Sequence, residues 1–289
     1  MRSWFYGLAI LAASALAMAA DSRVRANAAV HAEFPFEYRE GLVWLTVQTP
    51  RASEPLHFLF DSGAKVSVLN EQTVRRLGVK LGKRVNVHGV GVETTGYWPQ
   101  RLEAQIGRVP LPREYLVVDL GKLSRACLRP VDGLVGADFV RGRIVQIDYP
   151  AQKIRLLGQA SCPARAEVLP LRSARGVFQV PVSVNGSARH WVRLDTGCAS
   201  ALQWTASGLA GRHAAAGISI GLAELTIPTV PTTVQLGGRT FTNVPTGLHA
   251  KSIFPGEAGL LGNSLLAGFR VTLDAIGGRL VIEDMSAIR

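Results

Sequence analysis

Hydrophobic residues recur along most of this chain at the two-residue spacing of half-buried strands, and glycine, proline and asparagine interrupt that spacing at short intervals. The pattern starts at Phe34-Pro35-Phe36-Glu37-Tyr38, continues from Leu42 to Val47, and crosses a polar turn at Pro50–Pro55 into the apolar run Leu56–Phe60. That run drives Asp61 into a tight Ser62-Gly63 turn. Val66, Val68 and Leu69 resume a strand, and Asn70 is placed to cap a short helix that carries Val74 and Leu77 and stops at Gly78. Lys80–Gly107 alternates again, with Val85, Val87 and Val90 leading into Gly89-Val90-Gly91, which is the pattern of a β-hairpin. Beyond Val117-Val118 lie the apolar segment Val131–Phe139 and two strands, Gly142–Asp148 and Lys153–Leu156. A strand over Val177–Val184 and a tight Asn185-Gly186 turn then lead into a second apolar run, Trp191–Leu194, which delivers Asp195 to Thr196-Gly197-Cys198.

The chain therefore writes one plan twice. Gly133-Leu134-Val135-Gly136 matches Gly259-Leu260-Leu261-Gly262, and the same offset carries Gly142 onto Gly268, Val145 onto Val271, Asp148 onto Asp274, Lys153 onto Arg279 and Ile154 onto Leu280 without a gap. Chance does not explain agreement over such a stretch. A β-rich unit of about 120 residues has been duplicated.

Composition adds a globular frame, with 47% hydrophobic residues in 289. Lysine and arginine outnumber acids 32 to 21, for a formal charge of +11. The arginines are scattered, with no basic helix or aromatic-rich RNA motif, so a solvated basic surface is expected and nucleic acid is not. Arg2, the apolar run Trp4–Leu16 and the small residues Ala17–Ala20 read as an export signal cleaved after Ala19, followed by a polar leader. No later segment has the length and apolarity of a membrane helix. Of the three cysteines, Cys127 and Cys162 are the expected pair in an oxidising compartment, because Cys198 belongs to a buried turn. The six histidines show no i, i+4 pair and no Cys-x-x-Cys partner, so neither a metal nor another cofactor is expected.

A single Asp-Ser/Thr-Gly tripeptide occupies many ordinary turns. Here each Asp ends an apolar strand, each is followed by a glycine, and each half carries a later apolar-Gly segment able to pack beneath the turn. Duplication implies a pseudo-twofold axis near which Asp61 and Asp195 meet. Two close carboxylates share a proton, one ionised and one neutral, and such a pair can act as base and acid together. Ser62 and Thr196 would brace the pair across the axis, and the amides of Gly63 and Gly197 would bond it.

Phe60-Asp61-Ser62-Gly63-Ala64, continuing to Ser67-Val68-Leu69, resembles the active-site strand of retropepsin-like aspartic proteases. Leu134-Val135-Gly136 and Leu260-Leu261-Gly262 resemble the second signature of that fold. Both acids stand in one chain, as in pepsin-like enzymes, on units of the retropepsin kind, similar to bacterial exported retropepsin-like proteins. Cys198 replaces the usual Ala, Ser or Thr, and Arg193 occupies a strand position that is more often apolar.

The resemblance implies an all-β, bilobal acid-protease fold of two duplicated β-barrel lobes. The expected divisions are a signal at 1–19, a leader at 20–32, an N-terminal lobe at 33–160, a linker at 161–169 and a C-terminal lobe at 170–287. It also implies an aspartic endopeptidase, acting as a monomer on a protein or peptide substrate of the cell envelope or exterior, with Gly89, Gly91 and Tyr97 as flap residues and Gly217–Gly221 as a weaker counterpart. The alternative is a peptide-binding protein that keeps the fold without turnover.

Overall fold

The computed structural model describes residues 29–89, 92–205, 215–220, 223–251, 253–254 and 256–285. The expected signal and most of the leader lie outside them. Among the described residues no helix is long and apolar enough to cross a membrane.

Each repeat folds into an eight-stranded sheet, and the two sheets have the same strand order. In the N-terminal lobe it is Glu37–Arg39, Leu42–Val47, Leu56–Phe60, Gly133–Val135, Val68–Asn70, Glu114–Val118, Val92–Arg101, Lys83–Gly89. In the C-terminal lobe it is Arg172–Ala174, Val177–Val184, His190–Asp195, Gly259–Gly262, Leu202–Thr205, Arg239–His249, Ala223–Leu236, Ala215–Ile220. A further pairing of Val177–Val184 with Ala223–Leu236 closes the second sheet on itself. The all-β, two-lobed architecture expected from the duplication is the one observed.

Local signals act where they were expected. Asn70 accepts from the Gln72 amide and caps helix Glu71–Arg76, and Gly78 follows with φ +62°. Asn185 and Gly186 both take positive φ, as the tight turn requires. The short helices Gly121–Ala126, Ala137–Val140 and Asn263–Leu266 carry no side-chain cap, which is why pattern alone did not reveal them.

A six-stranded sheet joins the lobes, in the order Val30–Pro35, Lys153–Leu157, Ile144–Asp148, Phe269–Asp274, Arg279–Asp284, Glu167–Pro170. Its centre marks the pseudo-twofold axis: the repeat offset carries Gln146 onto Thr272, and these two residues pair directly, with Gln146 Nε2 donating to Thr272 Oγ1 at 3.1 Å. The outer strands shift two expected boundaries. Val30–Ala32, read as leader, pair with Leu156 and Leu157, and Glu167–Leu169, read as linker, pair with Leu280–Ile282. Long-range ladder bonds order these residues although their own hydrophobic pattern is weak. The core follows the same geometry, running as one apolar cluster from Phe34 in the first lobe to Ile282 in the second.

The expected Cys127–Cys162 disulfide does not form. Cys127 is buried in a small apolar cluster with Leu120 and Leu134, Cys162 is exposed beside Arg279, and all three cysteines are free.

Asp148, 1% exposed in the interlobe sheet, accepts from Arg155 Nη1 at 2.9 Å and Arg270 Nε at 2.9 Å. Burial opposes its charge, but these two hydrogen bonds outweigh it and leave the carboxyl below its ordinary range. Asp148→Ala should therefore destabilise the chain by about 2 kcal/mol at neutral pH, because it removes the buried acceptor that Arg155 and Arg270 share and leaves them only Glu33 and Glu283 as acidic partners. A depressed carboxyl contributes stability above the unfolded value of about 4 and loses it as pH falls through the folded value. Denaturant melts should show the deficit of the variant shrinking toward acid.

Candidate active site

Each acid stands at the end of a strand held in the middle of its sheet. Gly133–Val135 runs parallel to Leu56–Phe60 and antiparallel to Val68–Asn70, and Gly259–Gly262 stands in the same relation to His190–Asp195 and Leu202–Thr205. The apolar-Gly segments thus pack against the acid-bearing strands. Below Asp61, the Val135 carbonyl accepts the Asp61 amide at 2.9 Å, and Ser67 Oγ accepts from the Gly136 amide at 3.0 Å while donating to Asp138. The second lobe uses Asn263 in place of Ala137. Its buried side chain donates to the carbonyls of Thr196 at 2.6 Å and Gly41 at 3.0 Å, and accepts from Tyr149 Oη at 2.6 Å.

Ser62 and Thr196 interlock the two turns. The Ser62 amide donates to Thr196 Oγ1 at 2.9 Å and the Thr196 amide to Ser62 Oγ at 3.1 Å. Each hydroxyl then donates to a carbonyl of the opposite lobe, Ser62 Oγ to Leu194 at 2.8 Å and Thr196 Oγ1 to Phe60 at 2.8 Å. Both side chains are buried, so these hydrogen bonds have no water to compete with them.

Above this lattice the Asp61 and Asp195 carboxyls lie side by side, each against the glycine of the opposite turn. The glycines make the approach possible. A Cβ on Gly63 would run into the Asp195 carboxyl, and one on Gly197 would stand 2.5 Å from Asp61 Cγ. Gly63 and Gly197 donate to the carboxylate of their own turn, at 3.0 and 2.9 Å. Asp61 also receives the Ala64 amide at 3.0 Å, whereas the Cys198 amide turns to the Asp195 carbonyl. The acids are thus unequal. Burial pushes both upward, and Asp195, facing the charge of Asp61 with fewer N–H partners, goes well above the ordinary carboxylate range. A proton shared by such a pair would rest on Asp195, the acid with fewer N–H partners.

The carboxyls form the floor of a cleft of about 510 Å³, walled on the N-terminal side by Leu59, Val68, Leu116, Val118, Leu120 and Leu134. Of the expected flap residues, Gly89 ends strand Lys83–Gly89 and pairs with Val92, and Gly91 lies outside the described residues. Tyr97 is at the base of the hairpin, opposite Arg84 and Val117, packed on the core and not on the cleft. The hairpin faces the cleft through Val87, which the alternation marked only as a strand residue, and through Asn86, which the pattern did not mark. In the second lobe Gly217 belongs to strand Ala215–Ile220, and Gly221 lies outside the described residues.

Cys198 is 2% exposed, and burial pushes its thiol up to about 12, so it is no nucleophile. Arg193, flagged only as atypical in its strand, enters the site itself. Its guanidinium lines the cleft, donates to the Gly63 carbonyl at 2.8 Å and pairs with Glu257 through Nε at 2.8 Å and Nη2 at 2.7 Å. Nothing in the local sequence around Glu257 announced that contact.

Gly63→Ala should cost about 2 kcal/mol in a denaturant melt by forcing its methyl group against Asp195. Asp195→Asn tests the shared proton. A carboxyl whose folded pKa is raised binds a proton that the unfolded chain releases, so stability falls as pH rises from about 4 through the folded value. Melting temperatures of the parent should decline over that interval more steeply than those of Asp195→Asn.

Sequence and structure comparisons bear on the first lobe's sequence and on the fold. The aspartyl protease family matches residues 48–139, which hold the first acid and its supporting segment. A retrovirus-related Pol polyprotein from transposon 412 of Drosophila melanogaster is 30% identical over 94 residues, covering 32% of this chain and 7% of that polyprotein. The chain therefore spans a small part of this curated relative. The crystal structure of the aspartic proteinase from Irpex lacteus superposes with a TM-score of 0.56 at 13% identity, covering 88% of this chain and 97% of that one. The chain thus has the fold of a pepsin-like aspartic proteinase, and over residues 48–139 its sequence matches the aspartyl protease family.

Proposed function

We propose that the chain is an endopeptidase in which Asp61 and Asp195 activate a water against a peptide bond. The observation that carries this reading is the abutment of two carboxyls from different lobes, each packed on the glycine of the opposite turn at the foot of one cleft. Asp61, charged and held by two amides, takes a proton from water as its oxygen attacks the scissile carbonyl carbon. Asp195 gives its proton to the carbonyl oxygen, which forms a neutral tetrahedral diol. As the C–N bond breaks, the proton held by Asp61 passes to the leaving nitrogen and a diol hydroxyl returns a proton to Asp195, restoring the pair. The apolar wall of the cleft supports an extended peptide with at least one apolar side chain beside the scissile bond.

The export signal read at 1–19 supports a substrate in the cell envelope or outside the cell. Both acids stand in one chain, which supports a monomer as the acting unit.

Digestion of a peptide library by purified protein tests the reading. Asp61→Asn and Asp195→Asn should each lower kcat/KM by roughly 10²–10⁴-fold, and activity of the parent should fall on the alkaline side as Asp195 loses its proton. Cleavage unchanged in both variants would overturn the mechanism. Binding of peptides without products in the parent would favour a binding protein on the same fold.

A further inference from the structure

The two acid-bearing strands are equivalent residue by residue, and at one position they differ in kind. Leu59 pairs with Leu134 and Arg193 pairs with Leu260, the equivalents under the repeat, so Arg193 stands where the first lobe places a leucine. Both line the cleft. A cation at a position that its sister strand fills with an apolar side chain is costly to bury, and Arg193 is only 8% exposed.

The chain spends three contacts on it. Glu257, itself 5% exposed, takes Nε and Nη2 in a two-pronged ion pair. Phe254 lies against the guanidinium with its ring centre 3.5 Å from Cζ. Nη1 crosses the seam to the carbonyl of Gly63, the residue whose amide holds Asp61 and whose Cα abuts Asp195. An apolar replacement of the whole pair would pack at least as well, so a buried ion pair here is weak evidence for a role in stability.

We propose that Arg193 is a positioning residue for the carboxyl pair: clamped by Glu257 and Phe254, its guanidinium fixes the Gly63 turn from the opposite lobe and sets a positive charge against both acids. The inference rests on the reading of Asp61 and Asp195 as the proton-transfer pair. The charge favours the ionised forms of both acids, which opposes their desolvation and keeps the one-proton state available at lower pH than burial alone would allow. Among the described residues, the other ionisable groups around the pair are Lys65 at the cleft rim, the protonated thiol of Cys198, and Glu257 behind the guanidinium.

The double variant Arg193→Gln/Glu257→Gln removes one charge of each sign, so net charge is unchanged and any effect reports local position. Two readouts separate this inference from the proposed function: the pH titration of ¹³Cγ-labelled aspartates, which needs no turnover, and the pH profile of kcat and KM on a cleaved peptide. The titration of the pair and both limbs of the profile should move to higher pH, with kcat falling roughly ten- to a hundredfold and KM changing less. Arg193→Lys, which keeps the charge but cannot serve Glu257 and Gly63 together, should leave the profile near its parental pH while lowering kcat. In the unaltered chain the Arg193 side-chain ¹⁵N signals should follow the titration of the pair, a measurement that stands even if the double variant does not fold. Titration and profile of the double variant superimposing on those of the parent would overturn the proposal, as would Arg193 signals that stay flat through the titration. A chain that cleaves nothing but shows the shifted titration would sink the proposed function and leave standing only the effect of Arg193 on the titration of the pair.

Discussion

Two carboxyl groups set against each other at the foot of a cleft cannot both be charged cheaply, and most of what surrounds them in this protein serves to hold them there. The cost of desolvating even one carboxylate is large, so the pair persists only because each turn is fixed before the acids meet. The Ser62–Thr196 lattice does that fixing. It joins the lobes through side chains that are themselves buried, so the distance between the acids is set by backbone geometry and not by flexible side chains. Glycine after each hydroxyl residue is the remaining requirement, since any Cβ there would occupy the space of the opposite carboxyl.

The interlobe sheet acts on the same seam from further away. Its pseudo-twofold axis runs through the Gln146–Thr272 pair, and its strands carry buried acids at matching places, Asp148 with Arg155 and Arg270, and Asp274 with Arg279. With a continuous apolar core it makes the two repeats one unit, which keeps the turns in register. The strand order is the same in both halves of that scaffold, while the side chains at the site differ. Asp61 receives one more amide than Asp195, Asn263 replaces Ala137, and Arg193 replaces Leu59. A single proton on two acids needs such inequality if base and acid are to have settled places, and a duplicated chain is free to supply it where a symmetric pair of identical chains is not.

The sequence by itself determined the strands, the duplication and the two acid turns, because each is written in local chemistry: two-residue alternation, a glycine where backbone must pass closely, an asparagine where a helix or turn begins. Ser62, Gly63, Thr196 and Gly197 were legible for the same reason, as neighbours of an acid in a repeated motif. Tertiary structure alone decided what depends on residues far apart. Val30–Ala32 and Glu167–Leu169 became strands through partners more than a hundred positions away, Cys127 and Cys162 were kept apart by where their segments pack, and Tyr97 was turned to the core while Asn86 and Val87 reached the cleft. Arg193 shows the division most plainly. The sequence marks it as a cation in an apolar strand, but only the fold brings Glu257, Phe254 and the Gly63 carbonyl to it, because a buried charge is made tolerable by partners that no local pattern records.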